Sequence, residues 1–275
     1  MTKIAVVQTS TGIDPRANAA ALVAAIEEAG ANGATMVFTP EMSGLLDRDR
    51  ARASAVLAKE NEDGVLVAVR EAAARAGVWV HLGSLALRRN DARLANRGFV
   101  IDATGNIRAR YDKMHLFDAD LSSGESWRES AAYAGGDRPV VVETPLGPMG
   151  LSICYDLRFP DLYRALSDAG AQVLSIPASF TRPTGEAHWH ILVRARAIEA
   201  GAFVVAAAQS GGHEDGRQTY GHSLVVDPWG DVLLDMGEGA GVGYADCDMR
   251  RLAEVRMQVP ALKNRRVVPA PVVIR

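Results

Sequence analysis

Cysteine is scarce in this chain: Cys154 and Cys247 are the two thiols in 275 residues. Two cysteines do not make a disulfide framework, so a reducing compartment is expected. Long apolar runs are missing as well. None approaches the roughly 18 residues of a membrane-spanning helix. The opening MTKIAVVQTS carries one lysine and too short an apolar stretch for a signal-peptide core, and reads as a first strand. Neither sign of charge dominates: 30 Lys and Arg face 33 Asp and Glu, a net charge of -3. Nothing here asks for nucleic acid or an anionic membrane as partner. The chain also lacks HExxH, CxxC, GxGxxG and P-loop patterns, so neither a metal nor a cofactor is indicated. These absences point to a soluble, cytoplasmic protein.

What is present is an ordinary globular composition, 48% hydrophobic and 23% charged, with length enough for a sizeable core. Lys3–Gln8 reads as a buried strand, 18–29 as a helix, and the ATMVFTP stretch as a second strand ending at Pro40. This is a βαβ unit. Helices are expected over 50–59 and 62–76, and strands over 78–87, 96–102 and 107–114. Residues 117–137 read as a long loop, a length that usually carries function. Strands resume at 140–143 and 149–154, followed by a helix over 162–169, a strand over 173–177, a helix over 185–200 and an apolar strand over 202–209. Short strands at 223–226, 231–234 and 243–248 and a helix over 250–257 complete the pattern, with an irregular tail from Pro260. GATMVFTP at 33–40 is echoed by GAQVLSIP at 170–177, each following a helix. The economical reading is one domain, 1–275, of two similar α/β halves whose mixed sheets pack face to face.

Three chemically active residues fall at the ends of expected strands: Glu41, Lys113 and Cys154. A free thiol is mostly protonated at neutral pH and needs help to become a nucleophile. A carboxylate can take its proton, and an ammonium can favour the thiolate and hold a developing oxyanion. Together they supply the parts of an acyl-transfer site, provided their strands are neighbours. Of the six histidines, His188 and His190 are two apart in a predicted helix and do not share a face, which argues against a zinc pair there. Spacing leaves a Cys–His pair open. Cys247 reads as a packing residue.

FTPEMSG around Glu41, YDKMHLFD around Lys113 and GLSICYDLRFPDLYRAL around Cys154 resemble the three signature blocks of the nitrilase superfamily of carbon–nitrogen hydrolases. The resemblance extends over PASFTRPTGEAHWHILVRARAIEAGAFVVAAAQ and TYGHSLVVDPWG. It implies a four-layer αββα sandwich, at least a homodimer, and a Glu-Lys-Cys triad. On that resemblance Glu41 is the general base, Lys113 the oxyanion donor and Cys154 the nucleophile. Glu129 is the second glutamate, which positions substrate and supports Lys113, and the Tyr155 backbone N–H completes the oxyanion hole. Arg158, Phe180, Thr181 and His188 are the expected substrate contacts, with Arg182 a further cation near the strand ends.

AAQSGGHEDGRQTYGHSLVVDPWG looks most like the branch of the superfamily that hydrolyses deaminated glutathione. The family's usual Pro-Gly after the HLFD block is Ser122-Ser123 here, a departure at the pocket's border. The implied reaction is hydrolysis of a small carboxylate-bearing amide to acid plus ammonia through a Cys154 thioester. An ω-amidase, carbamoylase or nitrilase of the same superfamily, or a non-catalytic interaction protein that keeps the fold, are the rival readings.

Overall fold

The computed structural model describes residues 1–274 except 121–123 and 125. The first half runs β1 (Thr2–Gln8), α1 (Pro15–Ala31), β2 (Met36–Phe38), α2 (Arg50–Val56), α3 (Gly64–Ala76), β3 (Trp79–Arg88), β4 (Leu94–Ile101) and β5 (Ile107–Asp112). A ribbon of β6 (Asp118–Asp120) and β7 (Ser126–Arg128) follows. The second half runs β8 (Val140–Thr144), β9 (Gly147–Leu151), α4 (Pro160–Asp168), β10 (Val173–Ser175), α5 (Arg182–Ala200) and β11 (Phe203–Ala206). It ends with β12 (Ser210–Gly212), β13 (Gln218–Tyr220), β14 (Leu224–Val226), β15 (Val232–Asp235), β16 (Gly241–Cys247), α6 (Met249–Gln258) and α7 (Ala261–Asn264).

Two six-stranded sheets result, in the orders β16-β1-β2-β3-β4-β5 and β15-β14-β11-β10-β9-β8. Side chains alternate across the first sheet with the period of two that a strand imposes. Ile4, Val6, Met36 and Phe38 share a core with Met149, Leu151 and Val173 of the second sheet. Their neighbours Ala5, Val7, Val37 and Val80 pack instead on Leu22 and Ile26 of α1 and Val69 and Ala72 of α3. Helices α4 and α5 cover the far side of the second sheet. The layers are therefore α, β, β, α, the expected sandwich.

The internal echo is structural. Gly33 (φ +77°) and Gly170 (φ +90°) each end a helix in the left-handed region, which costs glycine little. In each copy the next residue's N–H reaches back into the helix, Ala34 to Ala29 and Ala171 to Leu166. Each copy then enters the middle strand of a parallel trio, β2 between β1 and β3, and β10 between β9 and β11.

Three elements depart from the pattern reading. The segment 117–137 is not a loop throughout: β6 and β7 pair, and a 3₁₀ turn, Glu129–Ala131, follows. Asp118 holds that turn by accepting from the Ser130 N–H and hydroxyl. The ribbon β12–β13 lies in a Gly-rich polar stretch without apolar alternation, and α7 is a single turn in the expected irregular tail. The Ser122-Ser123 departure lies outside the described residues.

Candidate active site

One contact aligns the two sheets at the site. Thr9, just past β1, bridges in parallel to Gln209, beyond β11. The carboxyl ends of both sets of parallel strands therefore open at the same edge, where open α/β sheets bind ligands. The Gln209 side chain fastens that edge. Its Nε2 donates to Thr11 Oγ1 (2.7 Å) and to the Glu41 carbonyl (2.9 Å), and its Oε1 accepts from the Thr11 N–H (3.1 Å).

Glu41, Lys113 and Cys154 meet at this edge, all buried, although their strands are not neighbours. Strands β2 and β5 are separated by β3 and β4, and β9 belongs to the other sheet. Lys113 lies one residue beyond β5, while Glu41 and Cys154 each lie three beyond their strands. The lysine's length closes the gap. Its Nζ donates to Glu41 Oε1 at 3.0 Å and to Glu129 Oε2 at 2.8 Å.

The nucleophile candidate sits in a strained turn. Cys154 has φ +49° and opens a short 3₁₀ helix, Cys154–Arg158. Left-handed backbone costs a non-glycine residue of order 1–3 kcal/mol and persists where surroundings enforce it. Here Asp156 enforces it. Its fully buried carboxylate accepts from the Ile153 N–H (2.9 Å), the Tyr111 hydroxyl (2.7 Å) and the His115 N–H (2.9 Å), with the His115 ring at 2.7 Å. One side chain thus locks the Cys154 turn to the segment that carries Lys113. The Tyr155 N–H lies in the first turn of that 3₁₀ helix, among the donors a helix start leaves without an internal partner. Met42, next to Glu41, is also left-handed (φ +56°).

Electrostatics define the resting state. Burial pushes the Cys154 thiol well above its ordinary value, and the Glu41 carboxylate adds to this. Lys113 and the Ser179 backbone N–H pull the other way without prevailing. The thiol is therefore neutral at pH 7, and no preformed thiolate is waiting. Burial also acts to lower Lys113, but the charges of Glu129 and Glu41 outweigh it and hold the ammonium well above its usual range. A carboxylate beside a neutral thiol, with an ammonium alongside, suits proton removal concerted with attack.

Asn96, on β4, is the residue that sequence reading missed here. Its Nδ2 donates to Glu41 Oε1 (2.9 Å) and Glu129 Oε1 (3.1 Å), bridging the two carboxylates. An asparagine inside an expected strand gave no signal. Glu129 is further fixed by the Phe117 N–H (2.7 Å).

The site opens into a cavity of about 1010 Å³ lined by Glu41, Lys113, Glu129 and Cys154. Of the expected substrate contacts, Thr181 lines it, whereas Arg158, Phe180 and His188 are not part of its lining. Phe180 is buried against Trp189. Arg158 lies over Phe180, with its guanidinium 3.2 Å from His188 Nδ1. Arg182 is ion-paired with Glu186 and Glu238. His190 partners neither His188 nor Cys154; with His222 it flanks Asp235 (3.0 and 2.9 Å), bringing three potential metal ligands within 4.8 Å of one another.

A carbon–nitrogen hydrolase family model matches residues 3–257. The chain is 37% identical over 268 residues to the deaminated glutathione amidase of Yersinia enterocolitica, covering 96% of this chain and 93% of that one. In structure it is similar to the Caenorhabditis elegans NitFhit fusion protein, with 38% identity and a TM-score of 0.89. That match covers 96% of this chain and 65% of the fusion protein. It is also similar to an amidase from Nesterenkonia sp. AN1, solved with acrylamide added to its active-site cysteine, at 26% identity and a TM-score of 0.79. There the match covers 96% of this chain and the whole of the other.

Proposed function

Because this chain belongs to the carbon–nitrogen hydrolase family of the nitrilase superfamily, and is a hydrolase of non-peptide C–N bonds, we propose that it cleaves deaminated glutathione through a Cys154 thioester. The observation that carries the chemistry is the buried Glu41–Lys113–Glu129 ion network beside a strained, neutral Cys154. The curated relatives' names support the substrate.

In this mechanism Glu41 takes the thiol proton as Cys154 Sγ bonds to the amide carbon. Lys113 Nζ and the Tyr155 N–H hold the oxyanion. Glu41 returns the proton to the departing nitrogen, and the C–N bond breaks. Water, deprotonated by Glu41, then cleaves the thioester, releasing the acid and restoring the thiol. Glu129 and Asn96 keep Glu41 and Lys113 in register. A positioned base contributes about 10²–10⁴ in rate, and one oxyanion donor about 10²–10³.

The leaving group needs a correction. Ammonia leaves only from a primary carboxamide. Deaminated glutathione is a secondary amide, and its amine fragment is cysteinylglycine. The cavity, about 1010 Å³, lies at the upper end for small-molecule pockets. It suits a tripeptide-sized amide better than the much smaller α-ketoglutaramate.

The same reading makes the protein a single-domain, cytoplasmic homo-oligomer. The family match over 3–257 supports one unit. Both cysteines are free and buried, which suits a reducing compartment. Exposed Ile191 and Ile198 on α5 and the exposed apolar side chains of 267–274 support burial against a second copy.

The test is release of 2-oxoglutarate from deaminated glutathione and from α-ketoglutaramate, with ammonia release from a simple nitrile as control. The expected result is preference for deaminated glutathione, lost by about 10⁴ or more in Cys154→Ala. Preference for α-ketoglutaramate keeps the chemistry and overturns the substrate. Turnover that survives in Cys154→Ala overturns the chemistry.

A further inference from the structure

The cavity is lopsided in charge: eight lining side chains are cationic and three are acidic. Lys113, Glu41 and Glu129 belong to the reacting centre, which leaves seven arginines against Asp47. Most of those arginines are already occupied. Arg89, Arg128 and Arg217 pair with Asp91, Asp120 and Asp215. Arg88 and Arg93 donate to the Ser54 and Tyr133 carbonyls, and Arg50 to that of Arg128. Asp47 is taken by Arg52.

Arg48 differs. Among the described residues no carboxylate or carbonyl accepts from it, and its guanidinium lies 5.0 Å over the Trp127 ring. Arg217 lies 5.3 Å over the same ring, fixed by a 2.7 Å bond from Nε to the Asp215 carboxylate. An arginine stacked on an aromatic ring keeps its planar fork of donors free for a carboxylate.

Position says which carboxylate. In the two-step route the amine must depart while the acyl half stays bonded to Cys154, so the amine half lies toward solvent. Arg48 lines the cavity and is solvent-exposed, on the side a departing amine must reach. We propose that Arg48, stacked on the Trp127 ring that Arg217 also approaches, forms a subsite for the terminal carboxylate of the leaving amine, making the enzyme selective for amides of acidic, peptide-like amines. This rests on the amidase reading above.

The test compares kcat/KM for deaminated glutathione and for its C-terminal carboxamide, in the native enzyme and in Arg48→Gln, Arg48→Lys and Trp127→Phe. The native enzyme is expected to favour the acid about tenfold or more, mainly through KM. That preference collapses to about twofold or less in Arg48→Gln, is partly restored in Arg48→Lys and is weakened in Trp127→Phe. Equal turnover of acid and carboxamide by the native enzyme overturns the subsite, and so does an unchanged ratio in Arg48→Gln. Failure to turn over either compound overturns the deaminated-glutathione reading instead. Calorimetry on Cys154→Ala with N-acetylcysteinylglycine and its carboxamide then decides the subsite without turnover: tighter binding of the acid supports it, and equal binding or none overturns it.

Discussion

Asn96 shows how little of this candidate site is made by the three reactive groups alone. Its amide is a neutral spacer between two carboxylates that would otherwise repel, and it donates to both. Removing it leaves two buried acceptors short of a hydrogen bond. A hydrogen bond to a charged group is worth about 1.5–3 kcal/mol. Asn96→Ala is therefore expected to lower kcat by about 10- to 100-fold, with KM changed far less, because Glu41 and Glu129 lose their register while the cavity keeps its walls. Steady-state kinetics check this, and a KM effect without a kcat effect would sink it. Circular dichroism should show the fold retained.

At the scale of elements, the close passage of β3 under the Glu41 loop is the tightest constraint. A Cβ added at Gly83 would stand 2.1 Å from the Thr39 carbonyl oxygen, 2.4 Å from that of Pro40 and 2.5 Å from Pro177 Cβ. These atoms belong to the segments entering Glu41 and following β10, so both halves of the site rest on one glycine. Gly83 also accepts no compromise in register, since its N–H donates to Thr39 Oγ1 (3.0 Å) where the β3–β4 pairing shifts. Gly83→Ala is expected to cost about 1–3 kcal/mol of stability through overpacking and to lower kcat more than tenfold. Thermal unfolding and kinetics test the two effects together, and an unperturbed kcat would show that the Glu41 loop is not held from below. This contact also marks where the sequence stops being legible. Glu41, Lys113 and Cys154 could be found because each is a reactive type at the edge of an apolar run, inside a block with family resemblance. The repeated Gly-Ala-strand-Pro pattern made the two halves visible because it encodes a helix end and a strand start, both local. Gly83, Gln209 and Asp156 act across the sheets. Apart from the Ile153 N–H, the partners named for them lie from 41 to 200 residues away, and no periodicity carries that information. Arginines are illegible for the same reason: Arg158 is near Cys154 in sequence but lies against Phe180 and His188, while Arg48, seven residues past Glu41, lines the cavity.

For the whole molecule, burying these groups ties stability to pH on both sides. Cys154 and Lys113 both hold their protons more tightly folded than unfolded. The unfolded chain therefore releases the thiol proton first, near its ordinary value of about 8.5. Stability from this source is complete below that pH and falls as pH rises toward the elevated folded value. Lysine follows above about 10.4, and the buried, upshifted Tyr111, Tyr133 and Tyr163 above about 10. On the acid side, burial pushes His81 down to about 3, in the core between the sheets where its ring faces Phe38 and the Ser175 hydroxyl. An unfolded histidine binds its proton near 6.5, so stability is complete above that pH and is lost as pH falls toward 3. The expected profile is a plateau from about pH 6.5 to 8.5 with a decline on either side. Urea unfolding at pH 5, 7.5 and 9.5 measures it. Burial also pushes the Cys247 thiol up to about 12, so Cys154→Ala should reduce the drop between pH 7.5 and 9.5 without abolishing it and leave the acid limb in place, because the two thiols are the first of these groups to titrate on the alkaline side. An alkaline limb that is identical in Cys154→Ala would mean that the folded thiol holds its proton no more tightly than the unfolded one, and a steeper decline in the variant would mean that Cys154 rests as a thiolate before substrate arrives.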